Sequence, residues 1–139
     1  MKKTKCKSLL VVTLCILFLA GCSSPGSKLS EDFDEAVVKD YAKQVITLIN
    51  NNDSEALIKM STVQLKEVLT KETLEGVYEA IAKGGEFKEF SDISVDGHKD
   101  ETTEEEFAVS AIKTKYDSKK FTYTITFTKD MKLAGLFYK

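Results

Sequence analysis

Phe121-Thr122-Tyr123-Thr124-Ile125-Thr126-Phe127-Thr128 alternates an aromatic or branched apolar residue with threonine through four periods. Successive side chains of a β-strand point to opposite faces, so Phe121, Tyr123, Ile125 and Phe127 share one face and the threonines the other. That pattern predicts a strand with one face on a core and one facing water, the arrangement of an antiparallel sheet. Upstream, Glu106 to Tyr116 alternates Phe107, Val109 and Ala111 against Ala108, Ser110 and Ile112, and Asp117-Ser118-Lys119 is a hairpin connection. Downstream, Lys129-Asp130-Met131 turns the chain and Leu133 to Tyr138 returns as a last strand. Phe90 to Val95 supplies a first strand, closed by a turn at Asp96-Gly97. Connections this short make neighbours antiparallel, so the carboxyl-terminal half is expected to be a four-stranded meander. Phe107, Val109 and Ala111 are expected beside the aromatic face, and Ala108 and Ile112 among the threonines.

Before the meander the period is helical. Phe33, Val37, Tyr41, Val45 and Leu48 recur at three and four, with Ala36 and Ile49 widening the stripe; Asp32 and Glu35 have capping-box spacing, and Asn50-Asn51-Asn52-Asp53 stops the helix. Asp53 or Ser54 then caps a helix bearing Leu57 and Met60. Ser61 or Thr62 caps one bearing Val63, Leu65 and Val68, and Thr70 opens one from Lys71 to Lys83 that ends at Gly84-Gly85. The expected fold is α+β, with amino-terminal helices packed on a curved four-stranded antiparallel meander sheet.

The chain has 139 residues, 20 of them basic and 22 acidic, and every basic residue is lysine. It begins Met1-Lys2-Lys3-Thr4-Lys5-Cys6-Lys7, continues with an apolar run from Leu9 to Ala20 and reaches Gly21-Cys22. Basic residues ahead of about a dozen apolar ones have the order of a secretory signal peptide. A membrane-spanning helix needs roughly 20 apolar residues, more than this run offers. Leu19-Ala20-Gly21-Cys22 resembles the lipobox of bacterial lipoproteins. The resemblance implies cleavage between Gly21 and Cys22 and a diacylglyceryl group on the Cys22 thiol. Residues 1–21 are then a signal peptide, 22–30 a lipidated cysteine and polar tether, and 31–139 the domain. Cleavage leaves 16 lysines against 22 acidic side chains, a net charge of −6. It also removes Cys6 and Cys15, so the mature chain has no disulfide partner for Cys22. A negative domain without arginine argues against nucleic-acid binding. The expected location is the extracytoplasmic face of the cell membrane, held by lipid; the lack of arginine fits an AT-rich Gram-positive genome.

Helices followed by a meander that closes with Phe121 to Phe127 and Leu133-Ala134-Gly135-Leu136 resemble the nuclear transport factor 2-like (cystatin-like cone) superfamily, within it a small domain-of-unknown-function family found on lipoproteins. The resemblance covers Asp34 to Lys139. It implies a curved sheet around a helix, a cone that often holds a cavity, and frequent dimers. The superfamily houses isomerases, dehydratases and non-catalytic adaptors, so fold alone does not choose a function.

Catalysis in such a cone needs an acid or base on the inner face of the strands, and the expected inner face offers only the Tyr123 phenol. Helix residues such as Asp40 are the remaining acids able to point inward. His98 falls in the Asp96-Gly97 turn as an exposed loop residue. The acidic run Asp100, Glu101, Glu104, Glu105 and Glu106 matches no calcium-loop spacing, and no cysteine is left to make a zinc site with one histidine. No catalytic residue, metal or cofactor is expected. Tyr41, Tyr78, Phe121, Tyr123, Phe127 and Tyr138 are the candidate lining of a cone pocket. The expected function is non-catalytic binding or scaffolding at the cell envelope. An apolar small-molecule binder and an isomerase- or dehydratase-like enzyme are the alternatives. The threonine face of the sheet is the candidate surface for a homodimer or protein partner.

Overall fold

A computed structural model describes residues 27–139. The expected signal peptide, with Gly21 and Cys22, lies outside the described residues. Four helices, α1 (Glu35–Asn50), α2 (Ser54–Met60), α3 (Val63–Val68) and α4 (Lys71–Ala82), precede four strands, β1 (Phe87–Lys99), β2 (Glu106–Tyr116), β3 (Lys120–Phe127) and β4 (Leu133–Tyr138). The strands form one antiparallel sheet in the order β1-β2-β3-β4, so the fold is α+β. Among the described residues no helix is long and apolar enough to cross a membrane.

Each helix begins where a short polar side chain accepts backbone N–H groups left free by the first turn. Asp34 takes Ala36 and Val37, Asp53 takes Ala56, Thr62 takes Leu65 and Thr70 takes Thr73. The first cap is therefore Asp34, and the expected Asp32–Glu35 box does not form. The buried stripe of α1 is Val38, Ala42, Val45, Ile46 and Ile49. It lies one residue round from the expected stripe, leaving Val37 41% and Tyr41 38% exposed. Both rows are apolar, so periodicity alone does not choose between them; Ala42 lets the helix backbone approach the sheet closely.

Phe121, Tyr123, Ile125 and Phe127 are buried under the helices, as the alternation of β3 requires. The β2 faces are the reverse of those expected. Register places Ala108 opposite Phe127, Ser110 opposite Ile125, Ile112 opposite Tyr123 and Thr114 opposite Phe121. The even-numbered residues of β2, ending in Tyr116, therefore enter the core. Phe107, Val109 and Ala111 join the threonines outside, where the same row continues as Lys113 and Lys115.

β1 is longer than expected, and Asp96-Gly97 is not its turn. Gly97 pairs with Ala108 inside the strand, and His98, opposite Phe107, is an exposed strand residue. The turn lies at residues 100–105, where Asp100 Oδ1 accepts the Thr102 and Thr103 N–H groups at 2.8 Å each. Gly97 is needed for another reason. Its N–H donates to Ser27 O at 2.7 Å, and a Cβ there would come within 2.5 Å of Lys28 O. Residues 27–30, expected to be part of a tether, are thus bridged to β1 at Ser27 and cross over Gly97, with Leu29 packed on the core.

Candidate functional site

The six aromatic candidates do not line one cavity. Phe121, Tyr123 and Phe127 are filled core. Tyr78, Tyr41 and Tyr138 each border a different surface depression. The core beneath the helices carries no carboxylate among the described residues: its buried polar side chains are Ser61, Ser110 and Thr114. Asp40 is exposed and pairs with Lys43 at 3.7 Å. Among the described residues no three His, Cys, Asp or Glu side chains converge on a metal-sized site.

One depression, of about 390 Å³, is built at the end of the domain where α1 and α4 stop and β1 starts. Its walls are Ile49, Asn50 and Asn52 from α1 and its exit, Tyr78, Ile81 and Ala82 from α4, and Gly85, Glu86, Phe87 and Tyr116. Local sequence explains the shape. The asparagine run ends α1, with Asn52 in the left-handed region at φ 54° that short amides tolerate. Gly84 and Gly85 let the end of α4 close onto the β2–β3 hairpin. A Cβ on Gly84 would meet the Phe121 ring at 2.8 Å, and Gly85 has φ +82° with Asp117 2.7 Å from its absent Cβ. Asp117 Oδ2 accepts the Glu86 N–H at 2.9 Å, and the Ser118 N–H donates to Gly84 O at 2.9 Å.

Inside this frame runs a chain of hydroxyls. Tyr116 OH donates to Asn50 Oδ1 at 2.7 Å and lies 2.9 Å from Tyr123 OH, so Tyr123 is left to donate to Tyr116. The chain starts in the core and ends at the wall of the depression. Tyr116 occupies the Asn50 carbonyl, which fixes the flip of the amide, and no group among the described residues accepts from the Asn50 NH₂. Burial raises the Tyr116 phenol above its ordinary range, more than its two hydrogen bonds lower it. Burial first, then the hydrogen bond with Tyr116, raises Tyr123 well beyond that range. Both phenols stay protonated. The Ser54 and Tyr78 hydroxyls are 2.8 Å apart, holding the opposite wall, and Phe87 meets Tyr116 edge-on at 5.5 Å. Glu86, the one charged wall residue, is paired with Lys88 at 2.7 Å.

A second depression of about 390 Å³ runs past Tyr41, Gln44, Lys59, Met60 and Lys132. Its long polar side chains are exposed, and none of these five side chains itself makes a hydrogen bond among the described residues. The first depression is the better-built site. Sequence reasoning found only Tyr78 of its lining. Asn50 had been recognised as a helix stop, and its position at the end of the buried stripe was the available signal that it would stand beside the core.

Fold and site together define a class: an α+β domain whose helices cover one face of an antiparallel meander, with an aromatic-walled, amide-bearing depression at one end. A family model described as "Protein of unknown function (DUF3887)" matches residues 42–136, and the chain belongs to that family. It is similar to a solved structure described as "NMR structure of protein from Ruminococcus gnavus ATCC 29149", with 26% identity over 81% of this chain and 96% of that one, at a TM-score of 0.71. No curated protein matches the chain.

Proposed function

We propose that this chain is an exported lipoprotein, held on the extracytoplasmic face of the cell membrane by diacylglycerol on Cys22, whose cone-like domain acts by binding and not by catalysis. The order of basic region, apolar run, small residues and cysteine supports the anchor. Two acyl chains hold firmly where one is marginal, at about 0.8 kcal/mol per buried methylene. The observation that carries the binding reading is the Asn50 amide, held by Tyr116 in the wall of an aromatic-lined hollow. Proton transfer near neutral pH needs a group poised to titrate there, and the phenols of this site are shifted the other way. The matching ligand is a small, uncharged molecule with a flat apolar body and one hydrogen-bond acceptor. Two experiments test this. Intact-mass analysis of natively processed protein should find a diacylated amino-terminal Cys22; an unprocessed chain with an unmodified thiol refutes the anchor. Amide shifts on titration with a panel of aromatic amides should cluster at Asn50, Tyr78 and Phe87 and vanish in Asn50→Leu. Shifts scattered over the domain refute the site.

A second contact surface is supported by the outer face of the sheet. Phe137, opposite Thr124, is 69% exposed there, in a row with Ala111 and Thr124. This is where a second copy or a protein partner would dock. Sedimentation of the native domain beside Phe137→Glu tests it: a native dimer that the substitution dissociates supports the face, and two monomers deny self-association through it.

A further inference from the structure

The segment that carries the anchor is itself docked, and its route fixes an orientation. Ser27 bridges Gly97 antiparallel to β1, two residues short of the end of that strand at the β1–β2 turn. Ser30 Oγ donates to Glu106 Oε2 at 3.2 Å, and Lys129 Nζ clamps Asp32 and Glu106 at 2.7 Å each. These contacts tie residues 27–32 to the ends of β1, β2 and β3. Between Cys22 and Ser27 only five Cα–Cα steps remain, at most about 18 Å of fully extended chain.

We propose that this docked strap sets which end of the domain meets the lipid surface: the β1–β2 and β3–β4 turns face the bilayer, and the Asn50 depression faces away from it. The inference rests on the lipid attachment at Cys22 proposed above. Phe87, in the wall of the depression, and Gly97, under the strap, stand ten residues apart on β1, a separation of about 30 Å along a strand. α1 runs the same way, from Glu35 near the strap to Asn50 at the depression, about 24 Å for its length. The bilayer-facing end carries Asp100, Glu101, Glu104 and Glu105, which anionic headgroups repel within a Debye length of about 8 Å. Covalent tethering, not charge, therefore brings this end down, against that repulsion. The depression is left open to ligands or partners arriving from outside the cell.

After processing, Cys22 is alkylated, so one introduced cysteine is the only free thiol. The full chain is produced with Thr102→Cys at the near turn or Lys119→Cys at the far hairpin, purified in lipidated form and labelled with a donor dye. It is then reconstituted in phosphatidylcholine–phosphatidylglycerol vesicles carrying an acceptor-labelled lipid. With about 30 Å between the two ends, transfer from position 102 should exceed that from 119 by roughly threefold or more. Two further variants should shrink the difference: Gly97→Val, whose side chain occupies the path of the Lys28 backbone, and a ten-residue Gly/Ser insertion after Gly26, which leaves the domain untouched. Equal transfer from both positions in protein shown by mass to be diacylated overturns the orientation. An undiminished difference in Gly97→Val overturns the role of the docked strap, and one in the insertion variant overturns the role of the short link between Cys22 and Ser27. Protein found without lipid overturns the anchor, and the orientation with it.

Discussion

Ser110 offers a sharp test of the β2 face assignment. It lies between Ala108 and Ile112, opposite Ile125 and Val95, and is 0% exposed. Its Oγ has no hydrogen-bond partner among the described residues. A buried hydroxyl with no partner costs about 1–3 kcal/mol relative to its hydrated state. Ser110→Ala removes that one oxygen. The void it leaves is smaller than a methyl group, on the order of 10–15 Å³, worth about 0.3 kcal/mol at the usual cavity coefficient. The substitution should therefore stabilise the domain by about 1 kcal/mol, raising Tm by about 4 °C for a chain of this size. The control lies four residues along the same face. Thr114 Oγ1 donates to Phe121 O at 3.0 Å, so Thr114→Val, which keeps the shape and loses the bond, should destabilise by about 1 kcal/mol. Urea unfolding of the two variants, read at constant m-value, gives both numbers. A loss of stability in Ser110→Ala refutes the reasoning, because it means that the hydroxyl has a partner or that β2 presents its other face.

Other perturbations probe other parts of the fold. Glu106 is held below its ordinary pKa of 4.5, chiefly by its hydrogen bond to Lys129. A depressed carboxyl contributes stability above its unfolded pKa and loses it as pH falls through the folded one. Lys129→Gln should accordingly flatten the acid-side decline in thermal stability below about pH 4.5, and an unchanged pH profile rules the clamp out as a contributor. Gly85→Ala places a Cβ at φ +82° against Asp117 and should destabilise by about 1–3 kcal/mol in chemical denaturation; a smaller loss means that the α4 exit relaxes freely. Asp34→Ala deletes the cap of α1 and should cost about 1 kcal/mol, with helix signal lost first at Ala36 and Val37 in amide exchange; uniform exchange across α1 contradicts a capping role.

Much of the fold was legible because local chemistry decided it. Thr62 and Thr70 begin helices because each hydroxyl accepts a first-turn N–H group, and β3 alternates too strongly to be anything but half-buried. Where two faces are similarly apolar, local pattern does not choose. Phe107, Val109 and Ala111 outweigh Ala108, Ser110 and Ile112 in bulk, yet the lighter row is the buried one. The deciding signal sits further along, where the heavier row becomes Lys113 and Lys115 and the lighter one becomes Thr114 and Tyr116. Asp96-Gly97 misled for a different reason. The glycine serves a long-range crossing by Lys28, and nothing within a few residues of it records that contact. The depression was hidden in the same way: Asn50, Tyr78, Phe87 and Tyr116 come from four separate elements, and only tertiary packing brings them together.

The strand order β1-β2-β3-β4 joins only neighbours in sequence, so the sheet can zip up hairpin by hairpin once its residues are available. The helices have no such freedom. Val38, Ala42 and Ile46 need the sheet as a floor, and the Thr62 N–H is bound by Leu133 O, on the last strand, at 2.8 Å. A ribosome releases the helical half first, with its greasy stripe uncovered. The hazardous interval in this molecule's life is thus the one before the final hairpin is available, on whichever side of a membrane the chain folds, when a chaperone or a protease has its best opportunity.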